Sequence, residues 1–184
     1  MAEHVCPWWM GYFLASPLRQ WFLDPEKTLR PYVREGMTIL EPGPGMGFFT
    51  LPLARLAGPS GRVIAVDLQE RMLEALRRRA ENASLLSRIE LRKACKDSLC
   101  IEDLKGTVDL VVAIAVVHEL PSDEAFFRQA AEALKPGGQL LLVEPRGHVK
   151  AEKFNHELHS ADQAGLQKRE RVIGGRNEVA LLAK

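Results

Sequence analysis

Apolar and polar positions along the chain follow two periods. Short β-rich apolar runs at Met37–Leu40, Val63–Val66, Ile89–Arg92, Val108–Ala113 and Leu140–Val143 alternate with amphipathic stretches of helical spacing. That alternation predicts a parallel sheet covered by helices. The clearest helix follows Asp67. Leu68, Met72, Leu76, Ala80 and Ala83 recur on one face, while Glu70, Glu74, Arg77, Arg78 and Glu81 point away. The unbroken apolar character of Val108–Ala113 predicts burial on both faces. Asp24-Pro25-Glu26 reads as a helix start, with Asp as N-cap and Pro in the first turn, and that helix should end near Gly36. A helix over Phe48–Ala57 closes at Gly58-Pro59-Ser60-Gly61. Ser122 caps another that runs to about Leu134 and stops at Lys135-Pro136-Gly137-Gly138. After a helix near Ala151–Ala164, Glu170–Ile173 and Glu178–Ala183 form an antiparallel hairpin across Gly174-Gly175.

Composition narrows the class. At 184 residues, 46% apolar and 27% charged, the chain suits one α/β domain with one core and is too short for two full nucleotide-binding lobes. It carries 25 basic and 24 acidic side chains, so stable binding to a nucleic-acid backbone is not expected. No apolar run approaches the ~20 residues of a membrane helix. Trp8–Ala15 is preceded by Glu3 and no Lys or Arg, which argues against a secretory leader. Cys6, Cys95 and Cys100 match neither a disulfide framework nor a zinc motif. Reduced thiols in a cytoplasmic protein are the simplest expectation. A trivalent metalloid trapped by the three thiolates is a weaker alternative, and no metal site is expected.

The chemistry concentrates in Ile39-Leu40-Glu41-Pro42-Gly43-Pro44-Gly45-Met46-Gly47. Three glycines at alternate positions follow a strand and open a helix. The backbone there can turn sharply and admit a ligand closely, and the N–H groups at the helix start favour a carboxylate. Asp67 ends the second strand and can accept both hydroxyls of a ribose. A dinucleotide fold wants its third glycine one residue later, where Phe48 stands. The implied ligand is an adenosine-like nucleoside without a pyrophosphate. The alternative is a helix-start turn whose glycines serve geometry alone.

These stretches, with Gly61–Asp67, Val108–Pro121 and its Val-His-Glu-Leu-Pro, and Leu134–Glu144 and its Leu-Lys-Pro-Gly-Gly, resemble the class I S-adenosylmethionine-dependent methyltransferases. The similarity is nearest the small-molecule branch of quinone-biosynthesis and metalloid enzymes, and covers about Asp24 to Lys184. It implies a Rossmann-like, doubly wound, mostly parallel seven-stranded sheet with a C-terminal antiparallel hairpin. It also implies S-adenosyl-L-methionine as cofactor and a small-molecule methyl acceptor. By the resemblance, Glu41, Gly43, Gly45 and Gly47 cradle the methionine end, Asp67 holds the ribose, Leu68 packs on the adenine, and Ala113 lies beneath the cofactor. Where the family often has an Asp for the adenine amine, this chain has Cys95. Asp97 either substitutes for it or caps a helix.

His118, just past the fourth strand, faces the transferred methyl in the family. It either acts as a base or shapes the pocket. Glu119 reads as a surface group, and Glu144 as either a site residue or a loop contact. His156-Glu157-Leu158-His159 lacks metalloprotease spacing and reads as a solvated helix face, as does Arg77-Arg78-Arg79. Residues 1–23 form an aromatic-rich cap ahead of the domain at 24–184. Trp8, Trp9 and Tyr12 within Cys6–Phe22 are expected to close the acceptor pocket. Plain packing on the core and contact with a membrane surface are the alternatives. An RNA or protein methyltransferase and a non-catalytic cofactor-binding partner protein are the competing functions. The sequence leaves a homodimer open.

Overall fold

The computed structural model describes residues 24–184 apart from residue 175 and the side chains of 172–174. The expected cap, with Cys6, Trp8, Trp9 and Tyr12, lies outside the described residues. The chain forms a Rossmann-like α/β fold with a mixed seven-stranded sheet, in the order β3-β2-β1-β4-β5-β7-β6. Its described part falls into two compact units that meet in sequence between Lys96 and Asp97.

The first unit holds α1 (Pro25–Leu29), β1 (Thr38–Pro42), α2 (Thr50–Leu56), β2 (Arg62–Asp67), α3 (Glu70–Asn82) and β3 (Ile89–Lys93). Asp24 caps α1, its Oδ1 accepting the Lys27 N–H at 3.0 Å. The helix stops at Leu29 rather than near Gly36, because Pro31 has no N–H to continue the ladder. The three strands are parallel, with Leu40 opposite Ile64 and Val66 opposite Arg92. Met72, Leu73, Leu76 and Ala80 form the buried stripe of α3. Leu68 does not belong to that stripe. It precedes the helix and is 43% exposed.

The second unit holds β4 (Val108–Ile114), α4 (Asp123–Ala133), β5 (Leu134–Pro145), α5 (Ala151–Gln163), β6 (Gln167–Gly174) and β7 (Asn177–Ala183). β4 pairs in parallel with β5, and β7 runs antiparallel to both β5 and β6. The Ser122 hydroxyl accepts the Ala125 N–H at 3.1 Å and starts α4 as expected. Lys135–Gly138 differs from expectation: it ends the helix but already belongs to β5. Gly137 sits at φ +77°, and the Val108/Leu110 register shift absorbs the irregularity.

Cys95 and Cys100 are each disulfide-bonded, which overturns the expectation of reduced thiols. Cys100 holds φ +52° in a loop of bends. The three-thiolate metalloid trap fails with it, and the thiol argument for a reducing compartment no longer applies. Among the described residues no helix is long and apolar enough to cross a membrane.

Candidate functional site

In the first unit, the chain leaves β1 through a turn that only glycine tolerates well. Gly43, Gly45 and Gly47 all have positive φ, at +65°, +54° and +86°. The Gly43 N–H donates to the Val66 carbonyl at 2.9 Å. The Gly45 N–H donates to Asp67 Oδ2 at 3.3 Å, while Asp67 Oδ1 accepts the Gln69 N–H at 2.8 Å. A Cβ on Gly47 would lie 2.4 Å from Leu76 Cδ1, so this glycine lets the turn rest on α3. A Cβ on Gly45 would meet nothing within 4 Å. The Gly45 backbone is therefore bare.

Glu41 is buried beside this turn. Its Oε2 and the Thr50 hydroxyl lack hydrogen-bond partners. Burial pushes the Glu41 carboxyl up to about 8; the neighbouring Thr50 hydroxyl opposes the shift, and the Asp67 carboxylate adds to it. The carboxyl is thus protonated at neutral pH.

Arg79 departs from the expected solvated trio. Arg77 and Arg78 are exposed, but the Arg79 guanidinium donates to the Met46 carbonyl and pins the turn. Burial lowers its pKa. Its place against Leu76 and Ala80, at the margin of the apolar stripe, was the available signal. Asp97 is exposed and caps no helix, since the next helical turn is Glu102–Leu104.

In the second unit, Ala113 is fully buried on β4. The chain then turns at Ala115, a non-glycine residue at φ +53° whose N–H donates to the Val143 carbonyl at 2.7 Å. A 3₁₀ turn over Val117–Glu119 follows. Glu144, fully buried near the end of β5, accepts from the Val117 N–H at 2.9 Å and from the His118 N–H at 3.3 Å. Its Oε2 lies 2.6 Å from His118 Nδ1. With Nδ1 donating, the neutral ring carries its lone pair on Nε2. Glu119 Oε1 lies 4.0 Å from that nitrogen. The bond to Glu144 raises the His118 pKa, burial opposes it, and the charges of Glu144, Glu119 and Glu157 add to the rise. Glu144 thus holds both the ring and the turn that carries it.

In the His156–His159 segment both histidines are exposed, as a solvated face requires, but Glu157 between them is not. Glu157 is fully buried and both its carboxyl oxygens lack partners. His156 Nδ1 lies 2.8 Å from Asp123 Oδ2. Burial would raise Asp123, but the His156 bond and Lys153 lower it on balance. Among the described residues no cluster suited to a metal ion occurs.

The glycine turn after β1, the acid ending β2 and the strand order are those of a Rossmann-like fold. Residues 39–138 match a family model described as "Methyltransferase domain", over more than half of the chain, and the chain belongs to that family. It is a class I S-adenosylmethionine-dependent methyltransferase, an enzyme whose cofactor is S-adenosylmethionine. It is 32% identical over 112 residues to the ubiquinone/menaquinone biosynthesis C-methyltransferase UbiE of Pasteurella multocida, an overlap that takes in 61% of this chain. The overlap covers 41% of that relative's length. A crystal structure of a methyltransferase from Aquifex aeolicus superposes with a TM-score of 0.84 at 24% identity, covering 97% of this chain and 98% of that one. One from Methanococcus maripaludis gives 0.81 at 16%, covering 100% and 97%. These two likenesses concern the fold.

Proposed function

We propose that the protein transfers the methyl group to a small-molecule acceptor that must lose a proton, with His118 as its base. The observation that carries this is the 2.6 Å contact between His118 Nδ1 and the fully buried Glu144, which leaves Nε2 as the ring nitrogen able to take a proton. The C-methyltransferase name of the similar curated proteins supports an acceptor of this kind, since a carbon acid needs a base more than a thiol does.

The residues of the glycine turn fit the cofactor. The orphaned Glu41 oxygen would gain the cofactor's ammonium as partner, and Gly43, Gly45 and Gly47 would admit its methionine end. Asp67 would take the ribose hydroxyls and the exposed Leu68 would cover the adenine. Ala113 and Asp97 keep the cofactor roles that the family resemblance implies. When bound, S-adenosylmethionine supplies an electrophilic methyl on a sulfonium. The acceptor's proton passes to His118 Nε2, and Glu144 stabilises the imidazolium. Proximity and alignment supply most of the acceleration. Trp8, Trp9 and Tyr12 are assigned to the acceptor side on sequence grounds, since aromatic faces suit a sulfonium or a flat acceptor.

Incubation of pure protein with labelled S-adenosylmethionine and separate quinol, phenol, thiol, metalloid and RNA pools tests the reading. Label in the quinol or phenol pool is expected. Label in RNA alone, or on protein, overturns it.

A further inference from the structure

We propose that Arg79 is a positioning residue for the cofactor: through the Met46 carbonyl it holds the glycine turn in the shape that receives the methionine end. The inference deepens the assignment of that turn above and rests on it.

Three alternate glycines in left-handed backbone, Gly43, Gly45 and Gly47, make the turn after β1 a segment that needs support from outside to keep one shape. For its first half β2 supplies that support. The Gly43 N–H donates to the Val66 carbonyl at 2.9 Å, and the Gly45 N–H to Asp67 Oδ2 at 3.3 Å. For its second half the support comes from α3. Leu76 fills the space against Gly47. Arg79 Nη1, about one turn further along the same helix face, donates to the Met46 carbonyl at 2.5 Å. Met46 stands between the bare Gly45 and the seated Gly47, so this bond acts on the residue next to the one proposed to face the ligand.

The arginine is costly where it stands. It is half-buried at the margin of the apolar stripe of α3, and burial lowers its pKa, as it does for a cation drawn out of water. Among the described residues no carboxylate pairs with it, and the Met46 carbonyl is its hydrogen-bond partner. Arg78 beside it shows the ordinary surface arrangement, exposed and 3.9 Å from Glu74 one turn back. An unbranched apolar side chain at position 79 would cover the same stripe with no charge to desolvate. What the arginine adds is its donor on Met46. Met46 is buried, so without that donor its carbonyl loses a partner that water does not readily replace. The Met46–Gly47 half of the turn is then released while both bonds to β2 remain. The loss falls on the methionine end of the ligand and spares the nucleoside, which is assigned to Asp67 and Leu68.

S-adenosylhomocysteine and methylthioadenosine share one thioether nucleoside, and only the first carries the amino-acid end. The ratio of their affinities for the full chain, measured by calorimetry, isolates that end. Arg79→Met keeps an unbranched stem and removes the donors. It should weaken S-adenosylhomocysteine binding about tenfold, the effect of one lost hydrogen bond from a charged group, and change methylthioadenosine binding by less than about twofold. Arg79→Lys keeps a charged donor and should recover part of the ratio. An Arg79 that only stabilises the fold would lower the melting temperature and leave the ratio where it is, and an unchanged ratio overturns the proposal. If Arg79→Met fails to fold, Arg79→Lys against the native chain supplies the comparison, with a smaller fall in the ratio expected. Glu41→Gln separates the two possible failures. A ratio that falls in Glu41→Gln and not in the Arg79 variants overturns the role of Arg79 alone; a ratio that falls in neither also removes the methionine end from this turn.

Discussion

The Gly45 N–H and Asp67 Oδ2 stand 3.3 Å apart, a bond that spans 22 residues and ties the turn after β1 to the end of β2. The carboxylate proposed to hold the ribose thus also shapes the turn proposed to hold the methionine. Asp67→Ala should weaken S-adenosylmethionine binding by about 1–3 kcal/mol, the range for lost charge-assisted hydrogen bonds. Calorimetry at equal temperature and salt measures it. An unchanged affinity would remove the ribose assignment.

The glycines separate turn geometry from ligand contact. At Gly47 a methyl group would press on Leu76, which is fully buried and has little room to yield. Gly47→Ala should therefore cost about 1–3 kcal/mol of stability, seen in urea unfolding. At Gly45 no protein atom stands in the way, so Gly45→Ala carries only the left-handed backbone cost of about 1–2 kcal/mol. Its larger effect should be on cofactor affinity. Equal losses of affinity in the two variants would show that the bare Gly45 backbone does not face the ligand.

Glu41 makes cofactor binding depend on protons. Its carboxyl is raised from an ordinary 4.5 to about 8, so the native chain holds a proton that the unfolded chain releases. The stability linked to that proton is full below the ordinary value and is lost as pH rises towards about 8. Glu41→Gln should remove this loss, so the variant melts higher than the native protein near pH 8 in the absence of cofactor. The same variant should bind cofactor more weakly. In the native protein a cofactor ammonium would pull the proton off Glu41. Calorimetry near pH 7, in buffers of different ionisation enthalpy, should then show up to about one proton released per cofactor bound. Zero release would place the ammonium elsewhere.

Much of this was legible in the sequence because it is local. The period of Met72, Leu76 and Ala80 places α3, and the alternate glycines with Asp67 place the turn, whatever the rest of the chain does. What was not legible depends on long-range packing. Nothing in His156-Glu157-Leu158-His159 says which side of the helix faces α4, so a charged residue was read outward and is in fact buried. Arg79 looks like its neighbours until the fold brings Met46, 33 residues away, to its guanidinium. The same holds for Glu144, whose partners Val117 and His118 are distant in sequence. The disulfide state of Cys95 and Cys100 is likewise not forecast by their count and spacing.

His118 and Glu144 give the last prediction. The folded-state pKa of His118 lies above its ordinary 6.5, chiefly through the Glu144 bond. The stability this interaction adds is full below the ordinary value and disappears as pH rises through the folded value. The native protein should therefore lose its stability margin over His118→Gln as the pH is raised, in denaturant titrations at fixed salt. Catalysis runs the other way. Only the neutral ring can accept the acceptor's proton, so turnover should climb with pH over the range in which the stability margin fades. His118→Ala should slow turnover by about 10²-fold or more while sparing cofactor affinity. Glu144→Gln leaves a ring of lower basicity, so the rise in turnover should move to lower pH with a lower plateau. It also removes the carboxylate that holds the Val117 and His118 N–H groups, so this variant should be less stable at all pH values. A fall of less than tenfold in His118→Ala, measured with the true acceptor, would mean that the ring shapes the pocket and the acceptor arrives already ionised.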